Sequence, residues 1–239
     1  MVGLPPITRA QPGNRFAWKV AARMVSWLPA WCAAIAVAAS LAIAKFSVVG
    51  PGDPTLTPLL VAAIVPLAMA LQAALALSPE SEPALELLLA CPRPLAWALV
   101  ERLVLAAGVE AAIALTGILA GSALFGGEAF YQILLRLLAP FIFLMGVAAF
   151  GTQTTRNGVY GTLLATLMWG GMLFGGDALL SRWPFLWPIH VYLQPEAVNP
   201  TVYAINRITL ILAGLILTIL AAHLTRDEER MISISTRMQ

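Results

Sequence analysis

Three glutamates bracketed by prolines are the first residues in this chain whose spacing suits a task. They lie in Ser78-Pro79-Glu80-Ser81-Glu82-Pro83-Ala84-Leu85-Glu86-Leu87-Leu88-Leu89-Ala90-Cys91-Pro92-Arg93-Pro94. Glu82 and Glu86 stand at i, i+4, so a helix here puts both carboxylates on one face, where they can pair with bases on another protein. Leu85, Leu88 and Leu89 share a second side. Pro79 and Pro83 suit a helix start, Glu80 and Glu82 favour its dipole, and the Pro92/Pro94 pair ends it. Ten residues of helix reach only about 15 Å, too short to cross a bilayer. The element therefore lies along a membrane surface or docks into a partner; as a bare linker, its glutamates would serve only to solvate it.

The second candidate is buried charge. Counting inward from Glu101 at the edge of its apolar run, Glu110 lies about 13 Å deep, near a bilayer midplane. An ionisable group at that depth is costly and belongs against a cavity or a partner. Arg136, about a turn inside another apolar run, is the expected partner. The two readings are an ion pair, or a protonated Glu110, that fastens the bundle, and a polar element of a translocation path.

No enzyme signature accompanies these residues. The chain has no GxxxxGK[ST] phosphate loop, no HExxH and no Gly-x-Ser-x-Gly elbow. His190 and His223 stand at opposite ends of the apolar runs, and Asp227-Glu228-Glu229 reads as a solvated tail. No metal site and no catalytic residue is expected. Cys32 and Cys91, both in apolar surroundings, read as inert thiols rather than a disulfide or metal framework. Gly171-x-x-x-Gly175 has the small-residue spacing that lets two helices approach closely in lipid. It fits either a dimer seam or packing within one chain.

Residues of this kind need elements to hold them, and composition dictates which. The 239 residues are 60% hydrophobic without counting the 18 glycines, and only 11% are charged, against about 25% in soluble domains. That excludes a soluble enzyme, a disordered chain and a nucleic-acid binder, and the net charge of +2 is too small to imply a polyanionic partner. An all-α polytopic membrane protein is the remaining class. Six stretches approach the roughly 20 apolar residues a span requires: Val25–Val49, Leu56–Leu77, Leu95–Phe125, Ile133–Phe150, Val159–Phe174 and Tyr203–Leu224. Gly50-Pro51-Gly52-Asp53-Pro54 predicts a tight turn between the first two.

With six spans, Arg9, Arg15, Lys19, Arg23, Arg93, Arg102, Arg156, Arg226, Arg230 and Arg237 fall on the side of both termini, leaving only Lys45, Arg136, Arg182 and Arg207 opposite. Positive charge marks the cytoplasmic side, so both termini are expected there. Lys45, Arg182 and Arg207 read as snorkelling anchors or as attractors of anionic lipid or substrate. Residues 1–24 form a cytoplasmic N-terminus in which Arg15, Lys19 and Arg23 line one face of an expected interfacial helix. Nothing before Val25 has the short apolar core and processing site of a signal peptide, so the first span is expected to remain in the mature protein. Residues 25–224 form the transmembrane domain and 225–239 a cytoplasmic tail. Residues 177–202, with four prolines and two tryptophans, suggest a re-entrant or interfacial structure on the outer face, or an aromatic belt.

The run Glu82-Pro83-Ala84-Leu85-Glu86-Leu87-Leu88-Leu89-Ala90-Cys91-Pro92, followed by Arg102, resembles the loop between the second and third helices of ABC-2 type transporter permeases. Pro83-Ala84 stands where Gly-Thr is usual, and Arg102 where Lys is common. The resemblance covers about 25 residues closely, and the six-span plan agrees over the whole length. It implies a type V exporter-like architecture, in which residues 78–94 couple the membrane domain to a separate ATPase subunit. By that likeness Glu80, Glu82, Glu86, Leu89, Arg93 and Arg102 are the coupling contacts, and Gly171 and Gly175 the seam with a second permease chain. ATP and Mg would sit on the ATPase subunit and no cofactor on this chain. The implied location is a prokaryotic inner membrane, and the implied activity is export of a hydrophobic or amphipathic substrate. A haem-exporter-like permease of cytochrome maturation shares the Leu-Glu-x-Leu-Leu run and the Pro-x-Pro-Leu step, here Pro92-Arg93-Pro94-Leu95. An ATP-independent channel or carrier is the alternative of a different class, though inverted repeats and several midplane charges are not evident.

Overall fold

A computed structural model of the chain describes residues 27–46, 56–78, 95–125, 130–193 and 198–237. The described residues are helical throughout, with no strand among them. In chain order they form α1 (Leu28–Phe46), α2 (Leu56–Leu77), α3 (Leu95–Phe125), α4 (Phe130–Thr155), α5 (Gly158–Arg182), a 3-10 helix (Pro184–Ile189) and α6 (Pro200–Arg237). Alanine- and leucine-rich runs favour helix intrinsically, and in hydrocarbon a helix satisfies every backbone group within its own segment. Four stretches are long and apolar enough to cross a membrane: Val100–Gly121, Leu134–Thr155, Gly158–Gly176 and Pro200–Thr225. Leu28–Ala42 and Val61–Leu77 are shorter apolar helices.

Large side chains point outward and small ones inward. Trp31 and Ile35 on α1, Leu119 on α3, Leu167 and Phe174 on α5, and Ile216 and Ile219 on α6 are exposed, whereas Ala33, Ala73, Ala74, Ala139 and Ala148 are buried. That inversion suits helices that meet lipid outside and approach one another through small residues inside. α4 is the central element: 61% of its span is buried, against 22–28% for the other three. One apolar core joins α1, α2 and α3 with Leu137 and Phe141 of α4. The other joins α2, α4, α5 and α6 around Leu144, Ala165, Val191 and Leu210. α4 and α6 cross at Gly146 and Gly214, where a Cβ on Gly146 would stand 2.9 Å from the Gly214 Cα. Only glycine permits that approach of two backbones.

Expected and observed bounds coincide for α2 and α3. The first helix, Leu28–Phe46, lies within Val25–Val49, whose residues 25–26 and 47–49 lie outside the described residues, and the last three helices run on past their apolar stretches. α4 continues through Thr152 to Thr155, where two of its polar side chains find backbone acceptors: Thr155 Oγ1 donates to Gly151 O at 2.8 Å and Gln153 Nε2 to Leu77 O of α2 at 3.1 Å. Arg156 and Asn157 then turn the chain. Arg156 takes a left-handed conformation (φ 57°), and the Asn157 side chain caps α5 by accepting from Val159 N at 2.8 Å. α5 does not stop at Phe174 but reaches Arg182, just before Pro184. The non-α part of the outer segment is therefore narrower than 177–202: residues 177–182 end one helix and 200–202 begin the next. α6 extends to Arg237, well past the expected start of a tail. The expected interfacial helix before Val25 and the turn at Gly50–Pro54 lie outside the described residues.

Candidate functional site

α2 ends at a hydrogen-bonded junction just before residues 79–94, which lie outside the described residues. Leu77 and Ser78 end α2, both buried. Leu77 O accepts from Gln153 Nε2 of α4, and Ser78 Oγ accepts from Gly158 N, the first residue of α5, at 3.3 Å. A Cβ on Gly158 would stand 2.8 Å from the Ser78 Cβ, so the two helix ends touch. Beside them a cavity of about 40 Å³ is lined by Leu77, Val100 and Leu103 of α3, Gln153, and Ala221 and Thr225 of α6. Both flanks of the segment, the end of α2 and the first turns of α3, thus meet α4 and α6 at one place. The junction holds donors and acceptors but no general acid or base among its described residues; its chemistry is mechanical attachment.

Glu80, Glu82, Glu86, Leu89 and Arg93 lie outside the described residues. Arg102, expected as a docking contact, is buried at 4% exposure, so it presents no surface to a second protein in this structure.

Glu110 is fully buried, and neither carboxylate oxygen has a hydrogen-bond partner. The expected pairing with Arg136 is not formed. The reason is rotational: Ala106, Glu110, Ala114 and Ile118 make one buried stripe of α3. Ala106, Ala114 and Ile118 of that stripe pack into the core shared with α1, α2 and, on α4, Leu137 and Phe141 rather than Arg136, and at Gly117 the neighbours are Val37 and Val61. Arg136 lies on α4, close enough to Arg207 for their charges to interact. An apolar cavity of about 180 Å³ separates α3 from α4 beside Ala111, Leu115 and Ile118. An acidic side chain at a helix centre costs about 2.5–3.5 kcal/mol on insertion scales.

The end of the bundle where the 3-10 helix meets the start of α6 carries a polar cluster, of which the sequence named His190 and Arg207 but not Asn206. Asn206 Nδ2 donates to the carbonyls of Trp187 (2.8 Å), Pro188 (3.1 Å) and His190 (3.1 Å). Arg207 donates from Nη1 to Val191 O at 2.9 Å and from Nη2 to Leu193 O at 2.6 Å, with its guanidinium 4.6 Å from the centre of the Tyr203 ring. Arg207 is thus a buried clamp, not a snorkelling anchor or an attractor of anions. His190 packs on Gly176, where no side chain would fit, and burial holds the Tyr192 phenol above its ordinary range. The available signal was an Asn-Arg pair opening an apolar run just after a proline-broken segment, because polar groups at that depth must find partners.

Among the described residues Gly171 and Gly175 face open space: a Cβ at either would meet no atom within 4 Å. The helix is instead tied to α2 by Trp169 Nε1, which donates to Ala63 O at 2.8 Å. Among the described residues no three His, Cys, Asp or Glu side chains gather as a metal site would require. Comparison with protein-family models, with curated proteins and with solved structures finds no match.

Proposed function

We propose that this chain is the membrane-embedded permease subunit of an ATP-driven export complex of the ABC-2 kind, crossing the membrane six times with both termini in the cytoplasm. Residues 78–94 receive the motion of a separate ATP-binding subunit, with Glu80, Glu82 and Glu86 as the acidic face of the docking helix. Two permease chains, identical or related, enclose a path for a hydrophobic or amphipathic substrate, and Gly171 and Gly175 lie on the surface between them.

The observation that supports this reading is the junction at Ser78. A push on the 79–94 segment reaches α4 and α5 through two hydrogen bonds and α6 through the packing around Ala221. The chain lacks a phosphate loop of its own, so the energy must come from a partner. Affinity purification from native membranes, with mass spectrometry and an ATPase assay on the eluate, tests the assignment. The expected result is a stoichiometric partner carrying a Walker phosphate loop and vanadate-sensitive hydrolysis. Elution of the chain by itself, in a detergent that preserves other transporter complexes, would overturn it.

A further inference from the structure

We propose that Glu110 is a proton-binding site inside the bundle, holding its proton in the closed state described here and reached sideways through the α3–α4 groove rather than from either aqueous end. The inference goes beyond the permease reading and does not depend on an ATPase partner.

Four observations carry it. Glu110 is fully buried, with no hydrogen-bond partner at either oxygen. Neither α1 nor α2 offers a counter-charge: among their described side chains, 27–42 and 61–78, there is no Asp, Glu, Lys, Arg or His, and the one thiol, Cys32, is exposed. Of the other bases near α3, Arg207 of α6 is held by Val191 O and Leu193 O. Arg136 of α4 lies near Arg207, Arg102 lies two turns below on α3 itself, and His223 lies towards the far end of α6. A carboxyl group so placed is far less costly with its proton than without it.

The fourth observation is the route. Successive helix residues are about 100° apart, and Ala111, next to Glu110, lines the groove together with Leu115, Ile118, Leu134, Leu137, Leu138 and Phe141. Every lining side chain is apolar, so water and ions are disfavoured there and apolar molecules are not. A rotation of α3 by about 100°, one residue's step around the helix, carries the carboxyl from the core into the groove. Proton release and uptake are thereby tied to the rotation of one helix.

The chemistry suggests a direct probe. A carboxylic acid adds across one C=N bond of a carbodiimide: its oxygen bonds to the central carbon and its proton moves to nitrogen. The O-acylisourea then shifts its acyl group from oxygen to nitrogen, giving a stable N-acylurea. Nothing leaves, and the mass rises by one carbodiimide.

The full chain in mild detergent is treated in parallel with dicyclohexylcarbodiimide and with a water-soluble, cationic carbodiimide, and peptides are mapped by mass spectrometry. The apolar reagent is expected to label Glu110 while the water-soluble one leaves it unmodified, with the other carboxyls of the chain as internal reference. Glu110→Gln should lose that label only. Ala111→Trp, at an exposed position, should fill the groove and slow the labelling, and it keeps the test open if Glu110→Gln does not fold. Labelling of Glu110 by the water-soluble reagent would overturn the proposal, because the site would then face water. Absence of label with either reagent would mark Glu110 as sealed packing, and an unchanged rate in Ala111→Trp would remove the lateral route.

Discussion

Asn206 and Arg207 hold the outer end of the bundle by side chain to backbone bonds, so their removal leaves carbonyls orphaned where water does not reach. Each buried acceptor left unsatisfied costs on the order of 1–3 kcal/mol. Asn206→Leu and Arg207→Met are therefore expected to lower the thermal unfolding midpoint in detergent, and to open the Trp183–Leu193 stretch to protease before the rest unfolds. Equal midpoints for Arg207→Met and the unmodified chain would show that the two carbonyls find other donors. Sequence alone placed Arg207 near the end of an apolar run and misjudged its task. A basic residue near a span terminus is usually a lipid-facing anchor, and only the fold shows that the neighbouring carbonyls turn inward to meet it. Glu110 was legible as buried, but its isolation was not. Depth along a helix follows from counting, whereas the rotational setting that turns it toward α1 and α2, away from Arg136, depends on which neighbours supply the small residues.

Helix packing separates two kinds of glycine that look alike in the sequence. Gly146 and Gly214 touch backbone to backbone, and overpacking such a crossing costs about 1–3 kcal/mol or more. Gly146→Val should destabilise the monomer and push α4 from α6, visible as lost helix protection in hydrogen exchange. Gly171→Val meets open space and should leave folding unchanged; under the dimer-seam proposal it weakens association of two permease chains, measured by cross-linking in membranes. An unaltered dimer in that variant would move the seam elsewhere. The sequence motif Gly171-x-x-x-Gly175 drew attention for its spacing, while the tight crossing joins single glycines of two distant helices and leaves no local pattern. Helix limits were legible where apolar runs end at glycine or proline, as for α2 and α3. They were not legible for α4, whose polar end is completed by Leu77 from another helix.

At the scale of the whole molecule, under the permease proposal, a push on residues 79–94 would pass inward through Gln153, through Gly158 and through the packing around Ala221. Under that proposal Glu86→Arg is expected to reduce substrate-stimulated ATP hydrolysis of the assembled complex without affecting membrane insertion, because it would reverse a charge on the proposed docking face. Gln153→Leu is expected to leave the ATPase bound and its basal rate intact while reducing stimulation by substrate, since it cuts the link behind that face. Normal stimulation in both variants would dissociate the segment from energy transfer.

The clamp at the outer end also bears on the order in which the chain can be built. The four carbonyls of Pro188, His190, Val191 and Leu193 are satisfied by Asn206 and Arg207, which come later in the chain, whereas Trp187 O also accepts from His190 N. During synthesis they wait for the start of α6, so the outer cap cannot close until the last helix has begun to enter the membrane. A nascent chain stalled before Asn206 should carry an open cap that proteases or quality-control factors can recognise, and one stalled a helix later should not. α6 thus completes the structure that precedes it in the chain.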